Sequence, residues 1–256
     1  MKLEILGAHN CESRDTRLVS LLIDQTLAID AGSLTSSLSI AEQQHLKAVL
    51  ITHHHFDHIR DLATLGMNIY DRGTIELYAL DSALSMISNH LFTEEIYLDF
   101  RKMPSPERPT FKLCPLEPYK EVIIEGYALL PVPVSHNVPA VGYQITSRDN
   151  KCIFFTGDTG RNSPSLWQAL SPQFLIIEVT MSNRFEMLAT ASGHLCPRLL
   201  KEELAEFKKI RGYLPPIVTV HMSPQFEGEI REEVERISEE LEAKITLGYE
   251  GMKILL

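Results

Sequence analysis

The segment Thr52-His53-His54-His55-Phe56-Asp57-His58 places four imidazoles and one carboxylate within six positions, directly behind the apolar run Ala48-Val49-Leu50-Ile51. The run has the length and composition of a buried strand. Side chains able to bind a cation therefore leave the core together where a strand ends, and a loop can aim them at one point. Crowding imidazoles costs solvation and mutual repulsion unless something binds them. Their nitrogen and oxygen donors suit zinc, manganese or iron, with no cysteine competing for the position.

Three further candidates stand at the ends of other apolar runs: His136 after Leu129 to Val134, Asp158 after Cys152 to Phe155, and His221 after Ile217 to Val220. If those runs are strands, their ends converge on one sheet edge. The chain has ten histidines, of which His9, His45 and His90 are gathered by no pattern and read as ordinary structural residues. His54 alternates away from its neighbours and reads as a supporting or packing residue. Phe56, Arg161, Asn162, Asn183, Arg184 and Phe185 lie near motifs, and each reads as a surface or packing position.

The 256 residues, 44% of them hydrophobic, suffice for one sizeable core, so a single domain over 1–256 is expected. Strands are expected at Leu3 to Leu6, Leu18 to Ile23, Leu27 to Ile29 and Ala48 to Ile51. Further strands are expected at Glu121 to Ile124, Tyr127 to Val134, Val141 to Ile145, Lys151 to Phe155 and Phe174 to Val179, with a second sheet among them. Helical spacing marks Ser33 to Leu46, Asp61 to Asn68, Asp81 to Leu91 and Pro197 to Ile210, the last with proline at its start and Gly212 past its end. Ile230, Val234, Ile237 and Leu241 form the buried stripe of another helix, whose Glu/Arg face reads as solvated. Five prolines between Met103 and Pro118 predict an irregular surface excursion.

The net charge of −10 disfavours bulk nucleic-acid binding. Four widely spaced cysteines form neither a disulfide framework nor a zinc knuckle. No apolar run reaches the ~18 residues of a spanning helix, and the start has no signal-peptide core. A cytoplasmic protein without membrane contact is expected.

H-x-H-x-D-H, the strand-end His136, Asp158 in Phe155-Thr156-Gly157-Asp158-Thr159-Gly160 and the final His221 together resemble the metallo-β-lactamase superfamily over nearly the whole chain. The resemblance implies an α/β fold, an αββα sandwich of two mixed sheets flanked by helices, with Ile245 to Leu255 as closing strands. It implies that His53, His55 and His136 hold one metal, that Asp57, His58 and His221 hold the other, and that Asp158 bridges them. Asp30 in Ile29-Asp30-Ala31-Gly32 matches the family's early supporting aspartate. The cofactors implied are two divalent ions, Zn²⁺ foremost, with Mn²⁺ or Fe²⁺ as alternatives.

Glu178 at the end of Phe174 to Val179, then Gly193-His194-Leu195-Cys196-Pro197 heading a helix, then His221-Met222-Ser223 resemble the phosphodiesterase branch. The helix-head element is closer to class II cyclic-nucleotide phosphodiesterases than to ribonuclease Z. Only 21 residues separate His136 from Asp158, which leaves no room for a tRNA-gripping arm. The function expected is hydrolysis of 3′,5′-cyclic nucleotides by a metal-bridged hydroxide, with Asp57, His194 and Glu178 as catalytic residues. His194 would be the general acid and Glu178 its partner. A ribonuclease Z-like nuclease and a thioester or lactone hydrolase are the alternatives. The expected partner is a small phosphodiester, and the resemblance leaves room for a homodimer.

Overall fold

The computed structural model describes residues 1–95 and 97–256. Along the chain, β1 (Lys2–Gly7), β2 (Ser20–Ile23) and β3 (Leu27–Ile29) form an antiparallel meander. The short helices α1 (Leu34–Ser37) and α2 (Ile40–Gln43) lead to β4 (Ala48–Leu50), and α3 (Phe56–Ile59) with α4 (Leu62–Asn68) leads to β5 (Ile75–Leu80). After α5 (Asp81–His90) and a small hairpin of β6 (Pro104–Ser105) and β7 (Arg108–Pro109), β8 (Phe111–Leu116) closes this half. A second meander follows: β9 (Val122–Ile124), β10 (Tyr127–Pro133), β11 (Val141–Thr146) and β12 (Cys152–Phe155). Then come α6 (Pro164–Ala169), β13 (Phe174–Glu178), α7 (Glu186–Ser192), α8 (Pro197–Arg211), β14 (Ile217–Val220), α9 (Glu227–Leu241), β15 (Ile245–Leu247) and β16 (Met252–Leu255).

Among the described residues the strands form two seven-stranded sheets, ordered β16-β1-β2-β3-β4-β5-β8 and β15-β14-β13-β12-β11-β10-β9. Each is mixed. β3, β4, β5 and β8 run parallel in the first, and β12, β13, β14 and β15 in the second, while the remaining pairs are antiparallel. The period-2 alternation of strands sorts side chains into two cores. Ile5, Leu21, Ile29 and Leu50 meet Leu129, Tyr143, Ile153 and Ile176 between the sheets. The alternate residues Leu22, Ala28 and Val49 pack outward against Leu34, Leu62, Leu65, Leu84 and Ile87 of the helices. On the other flank Phe154 points to Trp167 of α6, which in turn meets Phe207 of α8 edge-on at 5.3 Å between centroids. The architecture is the expected αββα sandwich, and no helix among the described residues is long and apolar enough to cross a membrane.

Two expectations are corrected. The segment from Ser33 to Leu46 is two helices, because Ser39 starts a fresh one: its hydroxyl accepts from the Glu42 N–H while the Glu42 carboxylate accepts from the Ser39 N–H. The closing strands lie where expected, within Ile245 to Leu255, β15 joining the second sheet and β16 the first. The proline-rich stretch contains a six-residue strand, β8. Since β8 is the sheet edge beside β5, Pro115 removes no hydrogen bond from an inner ladder.

Before this strand the chain is tied down by Asp99, whose oxygens accept from Arg101 Nε and Nη2 at 2.7 and 2.8 Å. Hydrogen bonds from Arg101 outweigh the opposing effect of burial and, with Lys102, hold the Asp99 carboxyl down to about 2 from an ordinary 3.8. A folded-state pKa below the unfolded one contributes stability that is complete above the unfolded value and is lost as pH falls through the folded one. Urea unfolding of the wild type and Asp99→Asn should therefore show a stability difference that shrinks from about pH 4 to about pH 2. A difference constant over that window would contradict the assignment.

A candidate metal centre

The C-terminal ends of the strands converge on one edge. Asp30 follows β3, the segment from Thr52 to His58 follows β4, and His136, Asp158, Glu178 and His221 stand at or just past β10, β12, β13 and β14. The turns that aim them are tight. Asp30 and His221 adopt left-handed backbone at φ of 57° and 65°, a conformation costing about 1–3 kcal/mol that persists where surrounding contacts enforce it. Gly157 shares it at φ of 60°, where a Cβ would lie 2.8 Å from the Thr52 Cβ.

Among the described residues, one ligand atom from each of His53, His55, His136 and Asp158 gathers within 4.8 Å, and so does one from each of Asp57, His58, Asp158 and His221. Asp158 belongs to both sets. His55 Nδ1 lies 3.0 Å from His53 Nε2 and 3.2 Å from His136 Nε2. Asp158 Oδ1 is 3.3 Å from His58 Nε2, and its Oδ2 is 3.4 Å from His221 Nε2.

Hydrogen bonds on the far side of the rings fix which nitrogen is bare. Thr52 donates its hydroxyl to Asp30, so it accepts from His53 Nδ1 at 3.1 Å. Asp30 Oδ2 accepts from His58 Nδ1 at 2.8 Å, and the Gly193 carbonyl accepts from His136 Nδ1 at 2.9 Å. Thr180 donates to Glu178, leaving its oxygen to accept from His221 Nδ1 at 2.8 Å. When these four rings are neutral, as a metal ligand must be, the Nε2 lone pair therefore faces the cluster. His53 Nε2 and His136 Nε2 both face His55 Nδ1 at 3.0 and 3.2 Å, where one proton at most is available to two lone pairs, and a cation beside the Asp158 carboxylate would satisfy all three nitrogens. His58 Nε2 and Asp158 Oδ1 are buried without a protein hydrogen-bond partner. The donor set thus fits two divalent ions.

Electrostatics reports the same demand for positive charge. Burial drives the His53 imidazole well below its ordinary pKa, with His58 adding to the effect. Burial works the same way on His58, yet Asp158 and Asp30 outweigh it and hold that ring well above its ordinary value. Burial alone would raise Asp158, but His221, His58 and His53 hold it well below the usual carboxylate range. Asp57 is lowered too, the effects of His221 and His58 overcoming burial.

A third grouping joins Asp158, Glu178, His194 and His221. Glu178 is already saturated: Oε1 accepts from Thr159 N at 2.9 Å and His194 Nδ1 at 2.7 Å, and Oε2 from the Thr180 hydroxyl at 2.7 Å and Leu195 N at 3.2 Å. A carboxylate with four donors has no lone pair spare for a metal, so it orients His194. That ring packs 5.3 Å from His221 and 5.2 Å from His136 between centroids, its side chain 14% exposed. Burial tends to lower its pKa, but the Glu178 charge and hydrogen bond, with Asp158 and Asp57, raise it to about 9. With Nδ1 on Glu178, Nε2 is the nitrogen that this carboxylate leaves free.

All seven sequence-predicted ligands, His53, His55, Asp57, His58, His136, Asp158 and His221, are brought together here, with Glu178 and His194 beside them. His9 lies elsewhere, its nitrogens on Glu250 and Glu227 at 2.7 and 3.3 Å, and His45 and His90 are exposed. His54 stands outside the metal groupings. Arg161 pairs with Glu202, while Arg184 lies over the rings of Phe185 and Phe226 and pairs with Glu229. Asn183 Oδ1 accepts from Arg198 N, and Phe56 is 67% exposed. Thr52 and Thr180, which set ring tautomers, are not legible as such in the sequence. Thr180 had one signal: it stands two positions beyond Glu178, so strand periodicity puts both on one side.

A family model described as a beta-lactamase superfamily domain matches residues 21–242. Among solved structures, unliganded yeast PDE1 is similar at a TM-score of 0.82 and 16% identity, covering 100% of this chain and 99% of that one. The metallo-beta-lactamase fold protein YhfI from Bacillus subtilis is similar at 0.77 and 15%, covering 99% of each chain. The short form of human tRNase Z is similar at 0.68 and 18%, covering 100% and 99%. At these identities the likeness is one of fold. An octanoyltransferase from Porphyromonas gingivalis is 29% identical over 139 residues, 54% of this chain. The matched stretch spans 27% of that protein's length.

Asp30 carries three hydrogen-bonding groups of this centre, Thr52 N, the Thr52 hydroxyl and His58 Nδ1. Asp30→Asn replaces one acceptor by a donor and should weaken divalent-metal binding about 10–100-fold in chelator competition. Wild-type affinity in the variant would show that these bonds do not tune the ligands.

Proposed function

Because the chain belongs to the β-lactamase superfamily, whose domain model covers residues 21–242, we propose that this metal-dependent hydrolase is a phosphodiesterase of 3′,5′-cyclic nucleotides. His53, His55 and His136 would hold one divalent ion, Asp57, His58 and His221 a second, with Asp158 shared. Zinc is the first choice, and manganese or iron also suit these donors. Bound there, such a pair supplies activated water at neutral pH and positive charge for the phosphoryl oxygens.

The observation that carries the reading is His194, held by Glu178 at 2.7 Å against the ring of the ligand His221. An alkoxide leaving from phosphorus is strongly basic and needs a proton as its bond breaks. His194 is placed to deliver one from Nε2, while Glu178 keeps Nδ1 protonated and the ring oriented. Thr180 links the two functions, since one hydroxyl donates to Glu178 and accepts from His221. The fold shared with yeast PDE1 and human tRNase Z supports phosphodiester chemistry.

A small substrate is favoured over a large RNA. The net charge is −10, and the residues between His136 and Asp158 are taken up by β11, β12 and short turns, leaving no arm. An acyl-hydrolase reading has only the partial resemblance to the octanoyltransferase behind it. Thioesters and lactones have better leaving groups, so that activity would not depend on His194.

Protein loaded with Zn²⁺ or Mn²⁺ should convert 3′,5′-cyclic AMP to 5′-AMP and lose that activity with a chelator. His194→Ala should keep its metal and turn over about 10²–10⁴-fold more slowly. Full activity in the variant would remove His194 as the acid. A fully metallated wild type that cleaves a thioester but no cyclic nucleotide would overturn the substrate class.

A further inference from the structure

Glu203 on α8 is a carboxylate only 5% exposed that the chemistry above does not use. Its Oε1 accepts from Asn162 N and its Oε2 from the Trp167 indole, both at 3.0 Å, and it forms no ion pair among the described residues. Asn162, fixed through its backbone, spends its side chain on two segments. Oδ1 accepts from Ser135 N at 2.9 Å, and Nδ2 donates to Thr159 Oγ1 at 2.9 Å and to the Gly160 carbonyl at 3.3 Å.

Ser135 immediately precedes His136, and Thr159 immediately follows Asp158. These ligands come from the ends of β10 and β12, which are not neighbours, because β11 lies between them. No ladder hydrogen bond can set the distance between two such ends. The Asn162 amide spans the gap, joined by one backbone bond from Gly160 N to the Ser135 carbonyl at 2.6 Å.

We propose that Asn162, anchored by Glu203, is a positioning residue that sets His136 against Asp158 and thereby the affinity of the cation site made with His53 and His55. The proposal rests on the metal-centre reading above. Its consequence is asymmetric. Asp158 is shared by both sets, but His136 belongs to one only, and Asp57, His58 and His221 receive no hydrogen bond from Asn162, so the ion on His136 should loosen more than the other. Without the amide, the end of β10 is tied to the Asp158 segment by Gly160 N and a long 3.5 Å bond from the Thr159 hydroxyl, both to the Ser135 carbonyl, and His136 keeps its bond to Gly193.

The test is calorimetric titration of metal-free protein with Zn²⁺ for the wild type, Asn162→Ala and Asn162→Asp, with thermal melting of each metal-free form. Co²⁺ absorption spectra of Asn162→Ala and His136→Ala identify which ion is retained. The expected result is two tight sites in the wild type and one site weakened about 10–100-fold in Asn162→Ala. Its metal-free melting temperature should be little changed, and its retained Co²⁺ spectrum should match that of His136→Ala. Asn162→Asp keeps an acceptor for Ser135 N, and the Thr159 hydroxyl can turn to donate, so it should recover most of the affinity. Two unweakened sites in Asn162→Ala, or equal loss at both with a lower melting temperature, would overturn the proposal. A wild type that binds fewer than two ions would instead bring down the metal-centre reading, and this proposal with it.

Discussion

Everything at the active edge depends on imidazole nitrogens held bare and close together. A neutral ring has one donor and one acceptor nitrogen, and here the donor is claimed on the outside by Thr52, Asp30, Gly193 or Thr180. What remains inside is a concentration of lone pairs and carboxylate charge that only cations can relieve. Without those outer bonds the rings could turn or change tautomer, and the same seven side chains would be a loose polar cluster instead of a site.

Two buried carboxylates organise these outer bonds, one from each sheet. Asp30 after β3 works through Thr52 on His53 and directly on His58. Glu178 at the end of β13 works through Thr180 on His221 and directly on His194. The correspondence follows the sheets themselves, each with an antiparallel meander running into parallel strands. The difference lies in the second target. Asp30 orients His58, a member of one candidate ligand set, whereas Glu178 orients His194, which belongs to neither, and on the proposed reading that ring is the proton donor.

The sandwich makes this possible because its core is rigid where the site is not regular. Strand ends are held by the packed layer between the sheets, and interiors packed to crystal-like density transmit position with little slack. The loops that follow can then carry left-handed residues such as Asp30 and His221 at a cost the core covers. Where the ladder leaves a gap, between the ends of β10 and β12, side-chain hydrogen bonds from Asn162 take over the spacing.

The sequence by itself brought the candidate ligands into view, because they stand at or behind the ends of apolar runs and five of the potential donors share six positions; the family resemblance supplied their division between two ions. Its periodicities marked strands and helices, while the layered αββα class, Glu178 and His194 came through motifs that resemble a known family. The tertiary structure alone decided the rest. Pro115 could be read as a breaker until β8 proved to be an edge strand, since pairing on one side is not a local property. Ser39 and Glu42 have the spacing of a capping box, but only the structure shows that the box forms and that one helix becomes two. Thr52, Thr180 and Asn162 looked like ordinary polar residues because their meaning lies in hydrogen bonds to residues far away in the chain, such as Asp30, His221 and Ser135. A hydrogen bond is made at about 3 Å in space, and no spacing along a sequence records it.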